Sequence, residues 1–290
     1  MPTAEGILAS ARHLADEVLF PDAMRVDRLD ALPVSHLDAF AGAGLYGAPA
    51  PADAGGLGMD LAETGLVVEE LAGGCLAATF VLIQHFRLVT TLAAEGTPAA
   101  LRARWLTSAC QGRTRGGIAL TGLIPGPPQL RAEPAAGGWR LDGTAPWVTG
   151  WGLIDLVQVV ARGPDNTVLT LIMDAAAQRG LTVTRQRLAA VDASVTVRRG
   201  FDGVGIPPER FVDQGAVAPA VSVQPAGLRP GRHPGRGPPA SAAGSRPARG
   251  DRRRAGQLSH GSRPPAVTVR GLPARRSCFA PGRPRWTPSW

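Results

Sequence analysis

Hydrophobic periodicity stops near Asp213, and that boundary confines any packed structure to the first three-quarters of the 290-residue chain. From Gln214 to Trp290 the sequence holds 14 Arg, 13 Pro, 11 Gly and 12 Ala, with Asp251 as its one acid. Such a segment has too little apolar surface to offset the entropy of ordering, which predicts a disordered, low-complexity Arg/Pro/Gly-rich tail over 214–290. The net charge of +8 divides accordingly into −5 before the boundary and +13 after it. All 31 cations are arginine, and no lysine occurs. The basic balance therefore belongs to the tail and to codon usage, and it is no argument that the core binds nucleic acid.

Ahead of the boundary two patterns follow each other. Up to Arg115 the apolar residues recur at helical spacing. Ile7, Leu8, Ala11, Leu14, Ala15 and Val18 form one face, with Pro21 expected to close that helix. Ser35 is placed to cap a short helix through Phe40 that Gly44 stops. A turn-rich stretch from Gly47 to Gly58 comes next, and Asp60 with Glu63 then forms a capping-box signal. Leu76 to Ala94 is nearly apolar all round, as a helix packed on several sides requires. Pro98 opens one more helix through Trp105 to about Gly112. Beyond Arg115 the period becomes alternating. Six or seven short runs rich in Val, Leu, Ile and Thr lie between residues 117 and 202, divided by turn signals such as Asp142-Gly143 and Gly163-Pro164-Asp165-Asn166. The expectation is an α+β multidomain chain: an N-terminal helical domain (1–115), a small antiparallel β-barrel (116–213) and the tail (214–290).

Cys75, Cys110 and Cys278 are odd in number and widely spaced, which argues against a disulfide framework and a zinc site and fits a reducing cytoplasm. The first ten residues lack the basic-then-apolar order of a secretory signal. Leu71 to Phe86, the longest uncharged stretch, contains two glycines, Gln84 and His85 and falls short of the roughly 20 apolar residues of a spanning helix, so no membrane partner is expected.

Four segments together resemble the acyl-CoA dehydrogenase family: APAPADAGGLGMDLAETGLVVEELA, GGIALTGLIPG, GGWRLDGTAPWVTGWGLIDLVQVVAR and VTVRRGFDGVGIPPERFV. The resemblance covers roughly residues 5 to 213 and centres on the triplet Trp147-Val148-Thr149. It implies a helical domain, a β-barrel and a C-terminal helical bundle, with FAD between barrel and bundle, and α,β-dehydrogenation of an acyl thioester carried by CoA or another carrier. It further implies that Trp147 walls the flavin ring, that Thr149 offers hydroxyl and backbone N–H near ring N5 and O4, and that Thr121 lies near the pyrimidine edge between Leu120 and Gly122. A large flat indole and a short β-branched hydroxyl suit those roles. Gln84, His85 and Phe86 fall where the family places its acyl pocket. A lone histidine on such a helix is otherwise a hydrogen-bonded core residue.

Two departures stand out. The family's loop T-E-P-x-x-G-S-D here reads Thr121, Gly122, Leu123, Ile124, Pro125, Gly126, Pro127, Pro128, and proline brings no N–H to a phosphate. The family's catalytic glutamate lies in its bundle, yet no glutamate follows Glu209. That absence implies a truncated or frameshifted member with impaired catalysis, no catalytic residue assignable, and no bundle to support family-type homo-oligomers. Arg, Pro, Gly and Ala have GC-rich codons, so a GC-rich gene read out of frame would yield this tail. The alternative is an inactive flavoprotein-like core with an Arg-rich nucleic-acid-binding arm, whose Phe279, Trp286 and Trp290 would stack on bases. Glu69-Glu70 reads as a solvated face, His13 and His36 have no partner at metal-ligand spacing, and the Arg249-Gly250-Asp251 triplet fits chance in such a composition.

Overall fold

A computed structural model describes residues 3–215. The expectations for the tail, Cys278 and the arginine-rich arm fall outside the described residues from 216 onward.

Six α-helices come first: α1 (Ala4–Leu14), α2 (Phe20–Val26), α3 (Val34–Gly42), α4 (Leu61–Gly74), α5 (Leu76–Ala93) and α6 (Ala99–Cys110). Pro21 does not close the first helical face. Between α1 and α2 the chain widens into a π-helical segment, Ala15–Leu19, in which the Phe20 N–H reaches back to the Ala15 carbonyl. The helix restarts beyond it with Pro21 in its first turn, where a missing N–H costs nothing. The bulge has a close neighbour in α4. A Cβ on Gly74 would lie 2.8 Å from the Ala15 carbonyl oxygen and 2.9 Å from Leu19 Cβ, so only glycine lets the two backbones meet.

Helix α3 begins at Val34 behind Pro33, and no side chain caps it. Ser35 already lies inside the helix, because the fixed φ of proline sets the entry instead. Gly44 does stop it, at φ 72°. The Asp60 capping box forms as expected: the Glu63 N–H donates to Asp60 Oδ1 at 2.8 Å, and the Asp60 N–H to Glu63 Oε2 at 3.0 Å. By length and mean hydropathy, 1.4, α5 matches a membrane-spanning helix. Its buried residues, among them Ala78, Leu82, Leu88, Val89 and Leu92, make it the central helix of this core.

Eight strands follow: β1 (Gly116–Ala119), β2 (Leu130–Ala135), β3 (Gly138–Val148), β4 (Leu156–Arg162), β5 (Val168–Asp174), β6 (Leu181–Arg185), β7 (Val197–Ile206) and β8 (Phe211–Gly215). They form one sheet in the order β6-β7-β3-β2-β4-β5-β8, with β1 beside β4. Most pairs are antiparallel, but β1 and β2 both run parallel to β4. Asp142-Gly143 is not a turn. It lies inside β3 at a register shift opposite β7, a bulge that glycine fills at φ 125°. Strand β8 carries Gln214 and Gly215 two residues past the expected boundary. One hydrophobic cluster runs from Ile7 and Leu14 through Leu82 to Val148, Val197 and Ile206, so helices and sheet share their core.

Candidate functional site

The triplet Trp147-Val148-Thr149 stands at the end of β3, past a second register shift between Ala145 and Val148. The Pro146 carbonyl within this bulge accepts a hydrogen bond from Gln186 Nε2. A bulge re-aims the side chains that follow it. Trp147 is 60% exposed, whereas Val148 is fully buried and Thr149 retains 4%. The indole is thus an uncovered apolar wall on an otherwise buried strand end.

Behind it lies an unusual turn. Asp192–Ser194 form a 3-10 turn bracketed by Val191 (φ 55°, ψ 26°) and Val195 (φ 53°, ψ 59°), two β-branched residues in the left-handed region. Each such conformation costs about 1–3 kcal/mol and persists only where the surroundings enforce it. They do so here. The Gly150 N–H donates to the Ser194 carbonyl at 2.9 Å, the Trp151 N–H to Val195 at 3.1 Å, and the Leu32 N–H to Ala193 at 2.9 Å. Asp192 accepts from the Leu188 N–H at 2.9 Å and pairs with Arg187 at 2.8 Å. Three hydroxyls then line up: Thr149 Oγ1 is 3.0 Å from Thr196 Oγ1, which is 3.2 Å from Ser194 Oγ.

The segment Leu120-Thr121-Gly122 continues directly from β1. Leu120 is partly buried, Thr121 and Gly122 are buried, and Leu123 and Ile124 are exposed at 43% and 44%. The first strand also approaches the triplet, since a Cβ on Gly117 would stand 3.0 Å from the Thr149 carbonyl. Buried Arg162 fixes the loop from below. Its Nε donates to the Gly122 carbonyl at 2.5 Å, its Nη2 to Ile124 at 3.1 Å, and its Nη1 to the side chain of Asn166. Gly122 presses on β4: a Cβ there would lie 2.7 Å from the Val160 carbonyl oxygen. Gly122→Ala is expected to cost about 1–3 kcal/mol in urea unfolding and to displace Thr121 from its buried position. An unchanged midpoint would show that the loop yields freely.

The resemblance assigns Gln84, His85 and Phe86 to a substrate pocket, and the structure does not gather them into one. Consecutive helical residues point in different directions. Gln84 is half-buried, Phe86 joins the core, and His85 is 1% exposed. The Gly116 N–H donates to His85 Nδ1 at 2.9 Å, and Nε2 faces the Ala109 carbonyl at 3.2 Å. An N–H can only donate, so Nδ1 is the bare nitrogen and Nε2 carries the proton. Burial drives the pKa of His85 down to about 3. The imidazole, edge-on to Tyr46 at 4.8 Å between centroids, is a structural tie among α5, α6 and β1.

Sequence reasoning missed Ser194, Thr196, Arg162 and Arg199. Arg199, on β7, is fully buried, has no hydrogen-bond partner for its guanidinium nitrogens among the described residues, and lies 4.6 Å from the Trp151 ring centroid and 5.4 Å from that of Phe201. Burial lowers its pKa to about 10. Within a run such as VTVRRGF, alternation was the available signal, since it turns one of the two arginines inward.

Residues 1–113 match the family model for the acyl-CoA dehydrogenase N-terminal domain. A longer stretch of 209 residues is 28% identical to the 3-sulfinopropanoyl-CoA desulfinase of Paraburkholderia xenovorans, covering 68% of this chain and 53% of that protein. The similarity to the acyl-CoA dehydrogenase family thus extends beyond the helical region. Human mitochondrial short-chain specific acyl-CoA dehydrogenase is 23% identical over 230 residues, covering 77% of this chain and 56% of that relative. Among solved structures, a glutaryl-CoA dehydrogenase from Mycobacterium smegmatis in complex with FADH2 superposes with a TM-score of 0.66 at 23% identity, covering 73% of this chain and 56% of the other. Butyryl-CoA dehydrogenase from Megasphaera elsdenii gives 0.63 at 20% identity, over 73% and 59%. The chain spans about half the length of the curated relatives it matches.

Proposed function

We propose that this chain carries the ring-binding face of an FAD site and belongs to an oxidoreductase that removes hydrogen across the α,β bond of an acyl thioester. One observation carries the reading: Trp147 projects into solvent beside a nearly buried threonine hydroxyl, at the end of a bulged strand in a fold shared with FAD-bound relatives. Large exposed aromatics next to an ordered hydroxyl are characteristic of recognition rather than of packing.

The residues present fit the two ends of FAD differently. At the ring end, Trp147 supplies the flat wall, Thr149 a short polar group and Thr121 a second one. At the phosphate end, Leu123 and Ile124 already spend their N–H groups closing the 121–124 turn, and Pro125, Pro127 and Pro128 have none. Backbone donors to a pyrophosphate are therefore few. When bound, the flavin supplies the hydride-accepting chemistry. The chain's own contribution is to orient the ring against Trp147 and to place the threonine hydroxyls near its polar edge. No glutamate follows Glu209, so the proton transfer that accompanies hydride removal is assigned to no residue of this chain.

Titrating FAD into the full chain tests this reading, with flavin fluorescence as the signal. Quenching is expected on binding, as the ring stacks on Trp147. Trp147→Ala should weaken the affinity about tenfold or more, since a stacked aromatic contributes on the order of 1–3 kcal/mol including its buried area. Equal affinity of the variant, or no binding by the parent chain, would reject it.

A further inference from the structure

We propose that Arg131 and Arg162 form a binding site for a phosphate-type oxyanion, in the cleft where strands β2 and β4 part. The proposal stands apart from the flavin reading, because neither arginine belongs to the ring-binding face.

The two strands run parallel and pair at one position, Arg131 opposite Arg162. Strand β4 ends there, whereas β2 runs on to Ala135 and the chain after Arg162 turns at Pro164–Asn166. A cleft of about 430 Å³ opens beside the split, with both arginines in its lining. That volume is within the range of small-molecule sites. Residues opposite each other in a sheet project to the same face, so this register sets two cationic side chains next to each other. Like charges so placed repel unless a charge of opposite sign accompanies them.

No carboxylate of the described residues fills that role. Arg162 is 3% exposed, yet its contacts are all neutral: the carbonyls of Gly122 and Ile124 and the side-chain amide of Asn166. A guanidinium keeps its proton in a protein, so a full charge lies buried beneath the 121–124 loop without a counter-charge. Three of its five N–H bonds serve those acceptors, which leaves two. Arg131 is exposed, and among the described residues its side chain makes no ion pair or hydrogen bond. Glu133 also lines the cleft, but Arg140 Nη2 holds it at 2.7 Å. The ligand that restores balance is an anion. Two guanidinium forks on adjacent strands suit an oxyanion of several oxygens and charge near −2 better than a carboxylate, which a single fork satisfies. That is the chemistry of a phosphate ester, a diphosphate or inorganic phosphate.

Calorimetric titration of the full chain with inorganic pyrophosphate at low ionic strength tests the site, with Arg131→Gln measured beside the parent. The arginines beyond residue 215 are common to both chains, so the difference between the two reports the cleft. The parent is expected to bind about tenfold or more tightly than the variant, and binding should move the backbone amide resonances of Ala132 and Gly163 in the parent. Arg131→Lys, which keeps the charge and loses the fork, should fall between them. Without the anion, Arg131→Gln should unfold at the parent's temperature or above it, since a repulsion has been removed. Equal pyrophosphate affinity in parent and Arg131→Gln, or unmoved amides at Ala132 and Gly163, would overturn the proposal. So would a lower unfolding temperature in the variant, which would reveal a partner for Arg131 within the chain. Saturating the chain with FAD first separates the sources. Blocked pyrophosphate binding assigns the site to the diphosphate of the flavin nucleotide, and unchanged binding assigns it to a separate phosphate ester. A chain that does not bind FAD would sink the flavin reading and leave the pyrophosphate result intact.

Discussion

Arg199→Met should make the protein more stable, by about 2 kcal/mol in chemical denaturation. Most substitutions of a fully buried side chain do the opposite. Among the described residues Arg199 is the largest fully buried side chain, and none of its three nitrogens has a hydrogen-bond partner there. The drop of its pKa to about 10, driven by burial, corresponds to about 3 kcal/mol of penalty on the charged form. The guanidinium still carries its charge at neutral pH. Against that penalty stand its contacts with Trp151 and Phe201, worth on the order of 1–2 kcal/mol when desolvated. Methionine nearly matches the volume, keeps favourable sulfur–aromatic contacts and removes the charge. For a packed region of this size, the midpoint of thermal unfolding should rise by about 4–8 °C. A lower midpoint would mean that the guanidinium gains more from its aromatic neighbours than burial costs it.

Acid is expected to destabilise the fold well above the pH at which carboxylates titrate. His85 is neutral in the folded chain down to about pH 3, and an unfolded histidine takes up its proton near 6.5. Between those values the unfolded state binds one proton more than the folded one. Stability therefore falls as pH falls, at about 1.4 kcal/mol per unit, reaching a loss of about 2 kcal/mol at pH 5. The cause is specific. A second ring proton would sit on Nδ1, directly against the Gly116 N–H that now donates to it. His36, also pushed down by burial and only partly offset by Asp22, adds to the loss with the same sign. The carboxylates held low, Asp22 by Arg25 and Glu70 by Arg12, contribute only below about pH 4. Urea titrations at pH 7, 6 and 5 separate these windows. In His85→Gln most of the slope should vanish on top of a constant loss of about 2–4 kcal/mol from the unsatisfied Gly116 and Ala109 groups. An unchanged slope in that variant would assign the acid sensitivity to other groups.

Features whose signal is local were legible in the sequence. The Asp60–Glu63 box, the stop at Gly44 and the turn at Gly163–Asn166 each depend on a few adjacent residues, and each forms as the pattern predicts. Expectations failed where a distant part of the chain decides. Pro21 reads as a terminator until the π-helical widening at 15–19 absorbs it, and that widening is matched by Gly74 some fifty residues on. Strand β2 carries Pro134 and β8 is only five residues long, so neither offers clean alternation. The parallel pairing of β1 and β2 with β4 is a property of topology that no run reveals by itself. At the site, Trp147 and Thr149 were accessible through resemblance to a family pattern. The hydroxyls behind them were not, because Ser194 and Thr196 meet Thr149 through two valines in a conformation that composition does not foretell.

The shared core has a further consequence. The family match ends at residue 113, three residues short of β1, which suggests a part that could be lifted out. The hydrophobic cluster crosses that line, and so does His85, which draws its acceptor from α6 and its donor from β1. The evolutionary seam is therefore not a mechanical one. Helices and sheet should melt together in one cooperative step, with calorimetric and van't Hoff enthalpies in agreement over this region. A helical fragment cut at the seam should behave as a collapsed, unevenly packed chain that binds hydrophobic dyes.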